Sequence, residues 1–100
     1  MQHNFEHIRV EFQEKSRRIF FNALREFQYS TKKLDRNALE YKFNDLKDQH
    51  VHSLKLQLEE AAKNFIEFHQ YHRQLREINQ MMQQVIREHL HQFVVQSRVS

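Results

Sequence analysis

Across one hundred residues the chain contains no glycine and no proline. Glycine lets a backbone turn tightly or enter left-handed conformations without steric cost, and proline is the other common breaker of helices. A chain lacking both has few means of making the frequent turns that sheets need. The residues that fill the gap, chiefly Gln, Glu, Lys, Arg and Leu, are good helix formers. The fold class expected is therefore all-α, in a single domain whose small core suits a chain of this length.

The longest periodic run goes from Val51 to Phe93. Read as heptads, it places Val51, Leu58, Phe65, His72, Asn79, Ile86 and Phe93 at a, and Leu54, Ala61, Phe68, Leu75, Met82 and His89 at d. All but His72, Asn79 and His89 are apolar, so one face of this helix has to be covered along its length. At about 1.5 Å per residue a straight helix over 51–93 would be about 64 Å long, whereas a first helix over 4–29 reaches only about 39 Å. A second chain is the natural cover, and a symmetric dimer is the commonest way to supply one. The architecture expected is a small antiparallel bundle with one long coiled-coil-like helix over about 51–96, completed by homodimerisation. Phe65, Phe68, Leu75, Met82, Ile86 and Phe93 form the candidate stripe for self-association or for a partner. After Phe68 the apolar line passes to Tyr71, Ile78 and Val85 at g, and the 3,3 step through Phe65, Phe68 and Tyr71 is a stammer. A bend is expected there, in preference to a break.

At the start of the chain, Asn4 is a candidate N-cap. Behind it Phe5, Ile8, Phe12, Ser16, Ile19, Ala23 and Phe27 step by threes and fours, which predicts a helix over about 4–29. Val10 and Phe21 share a separate line on that helix. A connection is expected over about 30–36, where Ser, Thr and Asp gather, followed by a second helix from about 37 carrying Leu39, Phe43 and Leu46. Asn37 and Glu40 have capping-box spacing. The sequence leaves open whether this helix stops near 48–53 or runs on through His50.

The missing glycine also excludes chemistry. Phosphate-cradling loops, dinucleotide fingerprints and nucleophile elbows all depend on it, and the absence of cysteine removes disulfides and thiolate zinc sites. No enzyme, catalytic residue or cofactor is expected. Eight histidines are present, and the pairs His3 with His7, His69 with His72 and Glu88 with His91 have helical ligand spacing. Only the last is a Glu-x-x-His, where a di-iron bundle needs two, so no metal site is assigned.

The net charge of +3 comes from sixteen basic and thirteen acidic residues spread along the chain. Pairs such as Glu14 with Arg18 and Arg36 with Glu40 are expected to close at i,i+4 on solvated faces. Clusters at Lys15, Arg17 and Arg18 and at Lys32, Lys33 and Arg36 give a nucleic-acid reading its footing, with Arg17, Arg18, Lys32, Lys33 and Arg36 as contacts. No apolar run approaches the roughly 20 residues of a membrane span, and the chain reads as cytoplasmic, with no membrane partner. The functional expectation is a protein-protein interaction or scaffolding module without catalysis; the alternative is a nucleic-acid-binding helical protein.

Overall fold

The computed structural model describes residues 2–69 and 73–97, with side chains from residue 6 onward. The chain is all-helical, with α1 at Gln2–Lys32, α2 at Arg36–His69 and α3 at Leu75–Ser97, and no strand among the described residues. No helix is long and apolar enough to cross a membrane among those residues.

The first helix outlasts its expected end. Ser30 and Thr31 weaken a helix without breaking it, and Thr31 turns its hydroxyl back to donate to the Gln28 carbonyl at 2.9 Å. The Leu34 N–H then bonds to the Thr31 carbonyl at 3.2 Å, and the connection shrinks to residues 33–35. Asp35, not Asn37, caps α2. Its Oδ1 accepts the Ala38 N–H at 2.7 Å while its carbonyl accepts the Leu39 N–H at 2.8 Å, the two bonds that define an N-cap. From there α2 passes through residues 48–53 without interruption. His50 sits edge-on to Phe27, ring centroids 5.4 Å apart, and Val51 is half-buried, so the phase shift is absorbed inside one helix. Thirty-four residues at about 1.5 Å each give about 51 Å, close to the 54 Å long dimension of the molecule.

The long helix expected over 51–96 does not exist. The chain leaves α2 at His69 and restarts α3 at Leu75, so the stammer is a reversal and not a bend. Tyr71 and His72, on which part of the heptad reading rests, lie outside the described residues. Gln74 has φ of 58°, the left-handed region that favours glycine, and its carbonyl accepts the Ile78 N–H at 3.0 Å to begin α3. The reversal is thus made without glycine, by a residue that bears a steric cost there.

Ring contacts fix the topology. Phe12 near the start of α1 meets Phe65 near the end of α2, and Phe27 meets Phe43 near the start of α2, so these helices are antiparallel. Ser16 and Phe20 meet His89 and Phe93 in the same order, so α3 runs parallel to α1. The result is an up-down-up bundle about 20 by 18 Å in cross-section. Phe12, Phe27, Leu54, Leu58, Phe65, Met82, Ile86 and Phe93 fill its centre. Ile78 and Val85, the g residues beyond the phase slip, also point inward. Most of the apolar face of α2 and α3 is folded against itself and against α1, which leaves little of the stripe that called for a second chain uncovered.

Candidate functional site

The six stripe residues divide into two groups. Phe65, Met82, Ile86 and Phe93 are buried: Phe65 stands edge-to-face on Phe12 at 5.8 Å, and Phe93 packs between Phe20 at 6.4 Å and Phe27 at 5.6 Å. They hold the fold and offer nothing to a partner. Phe68 and Leu75 are not in the core as the heptad reading had them. Phe68 is 78% exposed and Leu75 37%, because they flank the reversal where the heptad line no longer faces a neighbour. Lys15 lies across the seam between α1 and α2, its Nζ 5.4 Å from the Phe65 ring centre and 5.7 Å from that of Phe68.

A buried polar contact joins α1 to α3. The Ser16 hydroxyl lies 3.1 Å from the Gln13 carbonyl and shares a hydrogen bond of 2.8 Å with His89 Nε2. Burial pushes the His89 pKa down, the nearby Arg17 charge adds to this, and Glu88 opposes it. A serine next to a histidine is the beginning of a nucleophilic site, but Ser16 is fully buried, closed off from any substrate. We read the pair as a polar clamp between the helices. His89 was expected on the apolar stripe; its partner seventy-three positions away was not foreseeable from spacing.

Among the described residues no group of three or more His, Cys, Asp or Glu side chains is placed to hold a metal ion. His72 and the side chain of His3 lie outside the description. His69 Nε2 lies 3.7 Å from a Glu11 carboxylate oxygen, and Glu88 and His91 are exposed on α3 beside Arg87, whose charge opposes a cation. At the far end of the bundle an open groove of about 470 Å³ is floored by Phe27, Leu34, Leu39 and Phe43, where α2 extends past the end of α3 at Ser97.

The most distinctive surface is the outward face of α1. At about 100° per residue, the buried Phe12, Ser16, Phe20, Ala23 and Phe27 occupy a sector of about 80°. Arg18, Phe21, Arg25, Tyr29 and Lys32 occupy another sector of about 80°, centred opposite the first. All five are exposed, Phe21 at 49% and Tyr29 at 62%. Arg17 flanks them on the α3 side, and Lys33 holds its ammonium 4.4 Å from the Tyr29 ring centre. Glu26 is the one acidic residue from Arg17 to Lys33. Glu14 shares the sector and bounds the patch at its N-terminal side.

The expected i,i+4 ion pair between Glu14 and Arg18 does not close. Among the described residues the ion pairs are Arg9 with Glu6 and His69 with Glu11, and none involves Arg17, Arg18, Arg25, Lys32 or Lys33. Among the described residues the cations of this face therefore have no carboxylate partner. Of the nucleic-acid candidates, Arg17, Arg18, Lys32 and Lys33 belong to α1 or its end, while exposed Arg36 opens α2 beyond the turn. Phe21, Arg25 and Tyr29 were missed as members, although their three- and four-residue spacing from Arg18 and Lys32 was there to find.

No protein-family model, curated protein or solved structure matches the chain.

Proposed function

We propose that the chain is a helical interaction module without catalytic activity, a small scaffold that binds a macromolecular partner through the outward face of α1. The observation that carries this reading is the single exposed line Arg18, Phe21, Arg25, Tyr29 and Lys32, in which cations without carboxylate partners alternate with exposed rings. Arginine and aromatic side chains are the residues that most often carry binding energy at interfaces, since they supply large contact areas together with directed polar groups. An Arg at i, a ring at i+3 and an Arg at i+7 form a continuous surface about 10 Å long, and Tyr29 and Lys32, four and seven residues beyond Arg25, extend it by as much again.

The working unit on this reading is one chain, because the core is closed without a second copy. A homodimer would have to bury surface residues such as Phe68 and Leu75, and the long stripe no longer supplies a reason for it. Site-specific photo-crosslinking in an extract of the source cells tests the proposal. A crosslinking residue at Asn22, exposed on the α1 face, should give adducts that disappear in the Arg18→Ala, Arg25→Ala double variant. The same residue at Leu56, exposed on α2, should give none. Equal yields at the two positions, or none at Asn22, would contradict the assignment.

A further inference from the structure

We infer that the outward face of α1 is a binding site for single-stranded nucleic acid, with Arg17, Arg18, Arg25 and Lys32 on phosphates and Phe21 and Tyr29 as stacking platforms for bases. This rests on the reading of α1 as the binding face and names its partner. The argument is one of order along the helix. From residue 18 to residue 32 the face reads cation, ring, cation, ring, cation, over about 21 Å of helix axis. A strand presents the complementary alternation of phosphate and unstacked base, and strand-binding proteins combine a basic track with aromatic side chains on which bases stack. Within the fold Phe21 meets Phe20 edge-to-face at 5.4 Å and Tyr29 carries the Lys33 ammonium at 4.4 Å, contacts that leave much of each ring open to solvent. Among the described residues the cations have no carboxylate partner, and both rings are about half exposed or more.

Three other partners fit less well. In a duplex the bases are already stacked on each other, which would leave Phe21 and Tyr29 without a function. A membrane surface needs the apolar side of an amphipathic helix, and here that side is the bundle core, with Phe12, Phe20 and Phe27 buried. An acidic protein segment would satisfy the cations but gives no reason for rings set between them at regular spacing.

The test is fluorescence anisotropy with labelled oligo(dT) and oligo(U) of about 15 nucleotides, titrated over a range of salt with the full chain. With four cations on phosphates and about −0.7 per phosphate for single strands, the log–log salt slope should be about −2.8. The Arg18→Ala, Arg25→Ala double variant should bind more weakly, with the slope reduced to about −1.4. Phe21→Ala and Tyr29→Ala should each weaken binding roughly five-fold or more with the slope unchanged, since stacking releases no counterions. All four side chains are exposed, so circular dichroism should show an unchanged helix content in each variant.

Absence of binding at the lowest salt overturns the inference. So does a duplex bound as tightly as the strands, with the aromatic variants inert, or an affinity that the arginine variants leave unchanged. Tighter binding to polyglutamate or to phosphatidylserine vesicles also overturns it. The extract experiment keeps the two levels distinct: Asn22 adducts that survive nuclease and contain only protein overturn this inference and leave α1 as the binding face. Failure of any adduct to depend on α1 overturns both.

Discussion

Phe65 and Phe68 lie three residues apart on α2, and a plain heptad reading makes them equals at a and d. The bundle separates them: Phe65 is 2% exposed, in edge-to-face contact with Phe12 at 5.8 Å, whereas Phe68 is 78% exposed. Phe65→Ala removes a buried ring and leaves a cavity among close-packed neighbours, which typically costs about 3 to 5 kcal/mol. Loss of the aromatic pair, worth about 0.5 to 1.5 kcal/mol, places it towards the upper end. Phe68→Ala removes little more than surface, and about 0.5 kcal/mol is the scale to expect. A domain of this size has about 5 to 15 kcal/mol in all, so the first variant is left marginal and the second is not. At about 4 to 8 °C per kcal/mol, Phe65→Ala should melt at least roughly 12 °C lower than the parent, and Phe68→Ala within about 4 °C of it. Urea denaturation followed by circular dichroism gives the same comparison as free energies. Similar losses for the two variants would mean that Phe68 is in the core and that the reversal after His69 is misplaced.

Asp35→Ala removes the α2 N-cap, whose Oδ1 accepts the Ala38 N–H at 2.7 Å, and should cost about 1 kcal/mol by urea denaturation; an unchanged midpoint would show that Asn37 caps the helix instead. Gln74→Gly should stabilise by roughly 0.5 to 1 kcal/mol despite glycine's greater freedom in the unfolded chain, because Gln74 has φ of 58°; destabilisation would show that the left-handed conformation is wrong. Stability should fall as pH drops through about 6.5 towards the depressed folded pKa of His89, because the unfolded chain takes up a proton that the buried imidazole resists. The contribution is fully present above that range. Denaturation at about pH 8 and pH 5.5 should show a larger acid loss for the parent than for His89→Gln, and equal losses would remove His89 as the cause.

Helix content and much of the core were legible in the sequence because both rest on period. The 3,4 spacing of Ile8, Phe12, Ser16, Ala23 and Phe27 gave the inner face of α1, and Leu54, Leu58, Phe65, Met82, Ile86 and Phe93 are buried as a and d residues should be. The step into g after Phe68 also brought Ile78 and Val85 inward, whereas Asn79, which the heptad reading placed at a, is exposed. The reversal between His69 and Leu75 was not legible as a break, because the usual marker of a sharp turn is glycine and the left-handed position is filled by Gln74. That one misreading carried others with it, since a continuous helix puts Phe68 and Leu75 on a buried seam and asks for a second chain. The candidate site was half legible. Arg17, Arg18, Lys32 and Lys33 stand out as clusters, but Phe21, Arg25 and Tyr29 join them only once the buried side of α1 is known and its opposite side can be drawn.

The closure of the apolar stripe within one chain is tested most directly by a distance between α2 and α3. Nitroxide labels on cysteines at His52 and Gln92, both exposed, can be placed cleanly because the chain has no other cysteine. In a continuous helix these positions would be about 60 Å apart, forty residues at about 1.5 Å each. In the bundle they lie on neighbouring helices at a similar level, so pulsed dipolar spectroscopy should find a separation on the scale of the 20 Å cross-section, lengthened only by the label arms. That short distance should persist when labelled protein is diluted with an excess of unlabelled chain. A peak near 60 Å, or a short distance that vanishes on dilution because it joins two chains, would contradict the account.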